Sequence, residues 1–131
     1  MERIVYLERE SIIADVRRPA CDHAWSEYAR TSQAEVEARL ADATIAIVNK
    51  LILDAETIAR LPMLKMIAVA ATGTNNVDLD ACRARGIVVS NIRGYAVHTV
   101  PEHAIALMLA LSRNVVAYRN SVQAGRWQES E

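Results

Sequence analysis

Four short apolar runs constrain this chain more than any other feature: I-V-Y-L at 4–7, T-I-A-I-V-N at 44–49, M-I-A-V-A at 66–70 and I-V-V-S at 87–90. They are nearly continuous rather than alternating, as strands covered on both faces are. The segments between them carry helix punctuation. Ser32 followed by Glu35 forms a capping box ahead of the apolar Val36 and Leu40. Asp54 opens a helix that Pro62 stops, and Asp78 opens another that ends at Gly86. W-S-E-Y-A at 25–29 alternates in the manner of an edge strand. Residues 8–24, with Arg17-Arg18-Pro19, read as a mostly irregular connection. Pro101 opens a helix predicted to run to about Ala124, ahead of Gly125.

Strands alternating with helices predict an α/β fold: a five-stranded parallel sheet, helices on both faces and right-handed crossovers. The strand order expected is 2-1-3-4-5, the flavodoxin-like arrangement, in which ligands bind beyond the carboxyl ends of the strands at the switch point. Those ends are Leu7-Glu8, Asn49-Lys50 and Thr72-Gly73. No internal repeat or linker interrupts the chain.

Composition removes several function classes. A net charge of -1 offers no basic surface for nucleic acid and no polybasic membrane patch. Cys21 and Cys82 lack CxxC spacing and read as reduced thiols. The N-terminus lacks the apolar region of a signal peptide, and the longest apolar run, 104–111, is too short for a membrane span. The expectation is a soluble, cytoplasmic chain. His98 and His103 flank Pro101, share no helical face and have no completing carboxylate, so no metal site is expected. His103 reads as packing or capping within its helix, and Trp25, Trp127 and the methionines as packing groups.

The stretch V-A-A-T-G-T-N-N-V-D at 69–78 begins as a buried strand and breaks into small polar residues where a ligand would lie. Gly73 permits positive φ and close approach, so its neighbours can turn N–H groups toward an anion such as a carboxylate. A strand-to-helix connection whose polar groups serve the next helix is the other reading. Lys50 offers positive charge to an acid, or is a solvated loop lysine. Asn49 is a donor in the same cleft, or a strand terminator. A-I-A-L-M-L-A-L at 104–111 is apolar almost all round, which predicts a helix covered on two sides. No G-x-G-x-x-G, G-x-S-x-G or P-loop occurs in the 131 residues.

Three segments carry a resemblance: V-N-K-L-I-L-D-A-E-T-I-A-R-L-P, then A-V-A-A-T-G-T-N-N-V-D, then R-G-I-V-V-S-N-I-R-G-Y-A-V-H-T-V-P-E-H-A-I-A-L-M-L-A-L-S-R. They resemble the N-terminal part of the D-isomer-specific 2-hydroxyacid dehydrogenases, most of all the glycerate dehydrogenase (hydroxypyruvate reductase) branch. The similarity is strongest from about residue 44 to 127. It implies a substrate domain that closes against a Rossmann domain binding NAD or NADP. By position it gives Thr72, Gly73 and Thr74 the substrate carboxylate, places Asn49 and Lys50 beside the same pocket, and puts Thr99 and Val100 near the nicotinamide.

The family's catalytic histidine, its acidic partner and its substrate-orienting arginine lie in the later part of a full-length enzyme. None has a counterpart here, so no catalytic residue is assigned, and His98 and His103 do not fill the gap. The expected division is a substrate-binding domain over 1–100, then an interdomain and dimerisation helix over 101–131 that leads into the missing cofactor domain. The expected partners are a small 2-oxo or 2-hydroxy acid, that domain, and a second copy bound through 100–119; no nucleic acid and no membrane. No cofactor is expected to bind this chain tightly. A stand-alone module that binds an acid or a partner without catalysis is the alternative, and the reading frame past Glu131 separates the two.

Overall fold

The computed structural model describes residues 1–126, which form two compact units, Met1–Arg93 and a second that begins at Gly94. Trp127 lies outside the described residues. The first unit contains β1 (Glu2–Tyr6), β2 (His23–Glu27), β3 (Ile45–Val48), β4 (Met66–Val69) and β5 (Val88–Asn91), all parallel, in the order β2-β1-β3-β4-β5. This is the order expected from the sequence. β2 begins two residues before the W-S-E-Y-A run because its partner sets its extent: Trp25 lies opposite Ile4 and Glu27 opposite Tyr6, where β1 ends. Tyr28 still donates its N–H to the Tyr6 carbonyl at 2.8 Å, and the carbonyls of Tyr28 and Ala29 accept the N–H groups of Arg9 and Glu10 at 2.9 and 3.1 Å beyond the regular strands.

Three helices follow the strands as their caps dictate: α1 (Val36–Leu40), α2 (Ala55–Ala59) and α3 (Leu79–Ala84). The Glu35 carboxylate accepts both the N–H and the hydroxyl of Ser32, at 2.8 and 2.6 Å, and a single 3-10 turn over Gln33–Glu35 leads into α1. Asp54 accepts the Thr57 N–H and Asp78 the Ala81 N–H, each at 2.8 Å. Gly86 takes φ 68°, the left-handed position at the end of α3 where a Cβ would be strained.

Side-chain alternation along the strands sends Val5, Leu7, Ala46, Val48, Ile67 and Val69 to one face. There they join Val36, Leu40, Ile58 and Cys82 in one buried cluster. Burial of side chains such as Leu40 and Ile58 contributes roughly 1.5–3 kcal/mol each. All three helices of this unit therefore share one face, whereas helices on both faces were expected. A right-handed crossover sends the β1–β2 connection to the opposite face, and that connection forms only one 3-10 turn, Arg9–Ser11. Its Ile12 and Val16 line an apolar groove of about 270 Å³ with Tyr6, Ile47 and Ala68 of the sheet.

The second unit contains α4 (Thr99–Ser112) and α5 (Val115–Gln123) where one continuous helix was expected. Pro101 sits inside the first turn, where a residue without an N–H is tolerated. The division falls at Asn114, which adopts φ 50° and ψ 36°. Asparagine is among the few residues besides glycine that take this conformation routinely. The Arg113 N–H closes α4 on the Leu109 carbonyl at 2.9 Å, and the Asn114 carbonyl opens α5 by accepting the Tyr118 N–H at 3.0 Å. Neither helix has a buried residue; Leu111 is 77% exposed and Met108 68%. Among the described residues, no helix is long and apolar enough to cross a membrane.

Candidate functional site

The carboxyl ends of β1, β3 and β4 converge because their pairing continues past the regular strands. Leu7 donates to the Ile47 carbonyl at 3.0 Å, and Ala70 to that of Val48 at 2.7 Å. The loops after β3 and β4 enclose a cleft of about 290 Å³ lined by Asn49, Lys50, Ala71, Gly73, Asn75 and Asn76. Three of the residues expected at the site, Asn49, Lys50 and Gly73, thus share one wall-to-wall space. Thr72 and Thr74 lie on the same loop and shape it through their carbonyls. That of Thr72 accepts Asn91 Nδ2 at 2.7 Å, and that of Thr74 accepts the Val77 N–H at 3.0 Å. No hydrogen-bond acceptor among the described residues meets the N–H groups of Gly73, Thr74 and Asn75.

Gly73 corrects one expectation. Positive φ occurs at Gly86, Gly94, Gly125 and Asn114, not at Gly73. What the missing side chain gives here is room: a Cβ on Gly73 would lie 3.0 Å from Asn75 Oδ1. The asparagine folds over the glycine, and the turn proper lies after it, over Thr74–Val77.

Two residues that sequence reasoning left without a role hold the cleft together. Asn76 Nδ2 donates to the Leu51 carbonyl at 2.9 Å and reaches that of Asn49 at 3.4 Å, tying the loop after β4 to the loop after β3. Glu8 places one carboxylate oxygen against the N–H groups of Asn49, Lys50 and Leu51, at 2.7, 2.9 and 3.2 Å. The signal for Glu8 was its place one residue past a strand at the switch point. Lys50 is exposed and enters no ion pair among the described residues. An ammonium and unmatched amides suit an anion better than a cation or an apolar group.

Thr99 and Val100 belong to the second unit, in the exposed first turn of α4, where the Val100 N–H reaches the Ala96 carbonyl at 3.3 Å. His98 precedes the helix without a side-chain cap, and His103 is exposed, so neither the packing nor the capping expected of His103 is made. Met1, Met63 and Met108 are likewise exposed rather than packed. Trp25 lies under Arg18, whose guanidinium carbon is 5.2 Å from the ring centroid, and donates to Glu27 at 2.8 Å. Among the described residues, no three His, Cys, Asp or Glu side chains are grouped to hold a metal ion. Both cysteines are free; Cys82 is buried, which pushes its thiol above the ordinary value.

A parallel sheet in this order, with helices packed on it and a polar cleft at the carboxyl ends of β3 and β4, defines the first unit as a flavodoxin-like α/β domain. The chain belongs to the D-isomer specific 2-hydroxyacid dehydrogenases, whose catalytic-domain profile matches residues 7–128. A glycerate dehydrogenase of Methylorubrum extorquens is 49% identical over 131 residues, covering 99% of this chain and 42% of that protein. A hydroxypyruvate reductase of Blautia hydrogenotrophica is 34% identical over 106 residues, covering 79% of this chain and 33% of that protein. The solved 2-hydroxyacid dehydrogenase of Ketogulonicigenium vulgare superposes with a TM-score of 0.73 at 25% identity, covering 99% of this chain and 42% of that one. The chain thus spans less than half the length of these relatives.

Proposed function

We propose that this chain is the substrate-binding part of an NAD(P)-dependent D-2-hydroxyacid dehydrogenase, which reduces a small 2-oxo acid such as hydroxypyruvate or glyoxylate in the cytoplasm. The observation that carries the proposal is the cleft in which Asn49, Lys50 and Gly73 meet beside unmatched backbone N–H groups. Its chemistry fits a carboxylate of few atoms. The amides of Thr72, Gly73 and Thr74 take the carboxylate, Lys50 adds charge, and Asn49 borders the reacting end. Fixing the acid in this way supplies orientation, a large share of the rate enhancement when two reactants must meet.

The chain's own residues do not fit the phosphates of a dinucleotide. Asp54 and Asp78 place their own carboxylates at the N-termini of α2 and α3, where each accepts one first-turn N–H, from Thr57 and from Ala81, and the sequence has no glycine-rich phosphate loop. The dinucleotide and the general acid are supplied from outside these residues, and Thr99 and Val100 border the nicotinamide end. The substrate domain extends to about residue 100. The exposed apolar surface over 100–119 binds a second copy of the chain.

Titration of the isotope-labelled chain with glyoxylate and hydroxypyruvate tests the proposal. Saturable shifts at the Gly73 and Thr74 amides are the expected result, with no oxidation of NADH or NADPH by the chain alone. Shifts elsewhere with none at that loop would refute the site. Turnover that disappears on His98→Ala would refute the division of labour.

A further inference from the structure

Glu8 is the first residue past Leu7, half-buried, and the main chain takes up one oxygen of its carboxylate. Its Oε2 accepts three consecutive backbone N–H groups, from Asn49 at 2.7 Å, Lys50 at 2.9 Å and Leu51 at 3.2 Å. Converging amides on one oxygen are how a main-chain nest holds a free anion; here the anion belongs to the chain. The main chain that carries this side chain is held as well. The Glu8 carbonyl accepts the Ser11 N–H at 3.0 Å and the Ser11 hydroxyl at 2.6 Å, while Leu7 before it is bonded to Ile47.

The neighbouring loop is the counterpart. The amides of Gly73, Thr74 and Asn75 have no acceptor among the described residues, although Asn76 joins that loop to the one Glu8 holds. Two amide-rich loops lie side by side, one satisfied from within and one not.

We infer that Glu8 is a positioning residue: an internal carboxylate that fills the nest after β3, fixes Asn49 and Lys50 at the cleft, and denies that nest to an acidic ligand. The last two parts rest on the substrate-binding role proposed above; the first does not. The carboxylate of a ligand then finds only the loop after β4, at 72–75, which sets one orientation for the rest of the molecule.

The test uses the labelled chain and its E8A and E8Q variants, with sodium formate as a free carboxylate and glyoxylate as the ligand. In E8A, solvent exchange of the Asn49, Lys50 and Leu51 amides quickens by about tenfold or more, the scale of losing a charge-assisted bond. Formate restores slow exchange at those three positions and leaves the wild type unchanged. E8Q, which keeps one acceptor oxygen, falls between. The glyoxylate Kd rises roughly tenfold in E8A and less in E8Q. Unchanged exchange in E8A, or no rescue by formate, overturns the nest. Quickened exchange with an unaltered glyoxylate Kd overturns the positioning role. If E8A does not fold, E8Q decides: exchange that quickens only at 49–51 supports the inference, and a change spread over the sheet overturns it. If glyoxylate fails to bind the wild type, the substrate-binding reading has failed, and the exchange and rescue results still decide whether Glu8 holds the loop.

Discussion

Asn76→Asp exchanges a donor for an acceptor at nearly constant shape, at the point where the two cleft loops are joined. In the wild type, Nδ2 bonds the Leu51 carbonyl at 2.9 Å and reaches the Asn49 carbonyl at 3.4 Å, and the Asn76 carbonyl accepts the Leu53 N–H at 2.8 Å. An amide NH2 has two N–H donors and can serve two carbonyl oxygens at once, whereas a carboxylate has none. Asn76→Ala removes one full bond and one marginal one, which costs about 1–1.5 kcal/mol. Asn76→Asp also turns a carboxylate oxygen toward those carbonyls in a partly buried position, for a loss of roughly 2–3 kcal/mol. With a urea dependence of about 2 kcal/mol per M, the unfolding midpoint falls by roughly 0.6 M for the alanine variant and 1–1.5 M for the aspartate variant. Urea titrations of the three proteins, followed by circular dichroism at neutral pH, measure both. The charge-bearing form of the new carboxyl is disfavoured in the folded state, so its folded pKa is raised, and acidification through that value converts it into a donor. The aspartate variant therefore regains part of its loss, relative to the alanine variant, as pH falls. An aspartate variant no less stable than the alanine variant at neutral pH would refute the bridging role of Asn76.

Gly73→Val places a branched side chain where even a Cβ would stand 3.0 Å from Asn75 Oδ1; glyoxylate binding by calorimetry is expected to weaken about tenfold, with the urea midpoint nearly unchanged because Gly73 needs no positive φ. Sedimentation of the chain is expected to show a dimer at micromolar concentration that Leu111→Glu converts to monomer, since Leu111 and Met108 are exposed apolar groups on α4; a wild-type monomer with α4 intact would count against the interface. Hydrogen bonds from the Ser32 side chain and backbone hold the Glu35 carboxyl below the ordinary range, and the Thr57 N–H does the same for Asp54. Their folded pKa values lie below the unfolded ones, so the stability they confer is complete above the ordinary carboxylate pKa of about 4 and is lost as pH falls through the lowered values. Asp54→Asn, which keeps a cap without the charge, should flatten the acid side of the stability profile measured by urea titration.

The architecture was readable because its signals are local. Apolar runs of four to six residues gave the strands, and Asp54, Asp78 and the Ser32–Glu35 pair cap where sequence pattern put them. Their hydrogen bonds span three residues, so the sequence contains both partners. The departures come from bonds that span many. The extent of β2 follows from pairing with β1, about twenty residues away. Glu8 and the loop it holds are separated by 41 to 43 residues, and nothing in L-E-R-E-S announces which amides its carboxylate meets. Asn114 divides the last helical segment by a left-handed backbone that S-R-N permits without requiring. At the cleft, Asn49, Lys50 and Gly73 were legible as strand-end residues at a switch point. Asn75 and Asn76 were visible only as polarity, because their role depends on which side-chain atom faces which carbonyl.

The irregular β1–β2 connection determines where this domain can change length. A crossover helix would have to be extended by whole turns to keep its packed face aligned; a connection without one has no such period to respect. An insertion after Pro19, in an exposed stretch, would leave the strand pairing and the helix-packed core untouched. Doubling the loop there adds only about 0.6 kcal/mol of closure entropy. The same insertion between Leu7 and Glu8 would shift the carboxylate out of register with three amides more than forty residues away. One connection thus contains a permissive end and a forbidden one, and within it insertion is confined to the distal end.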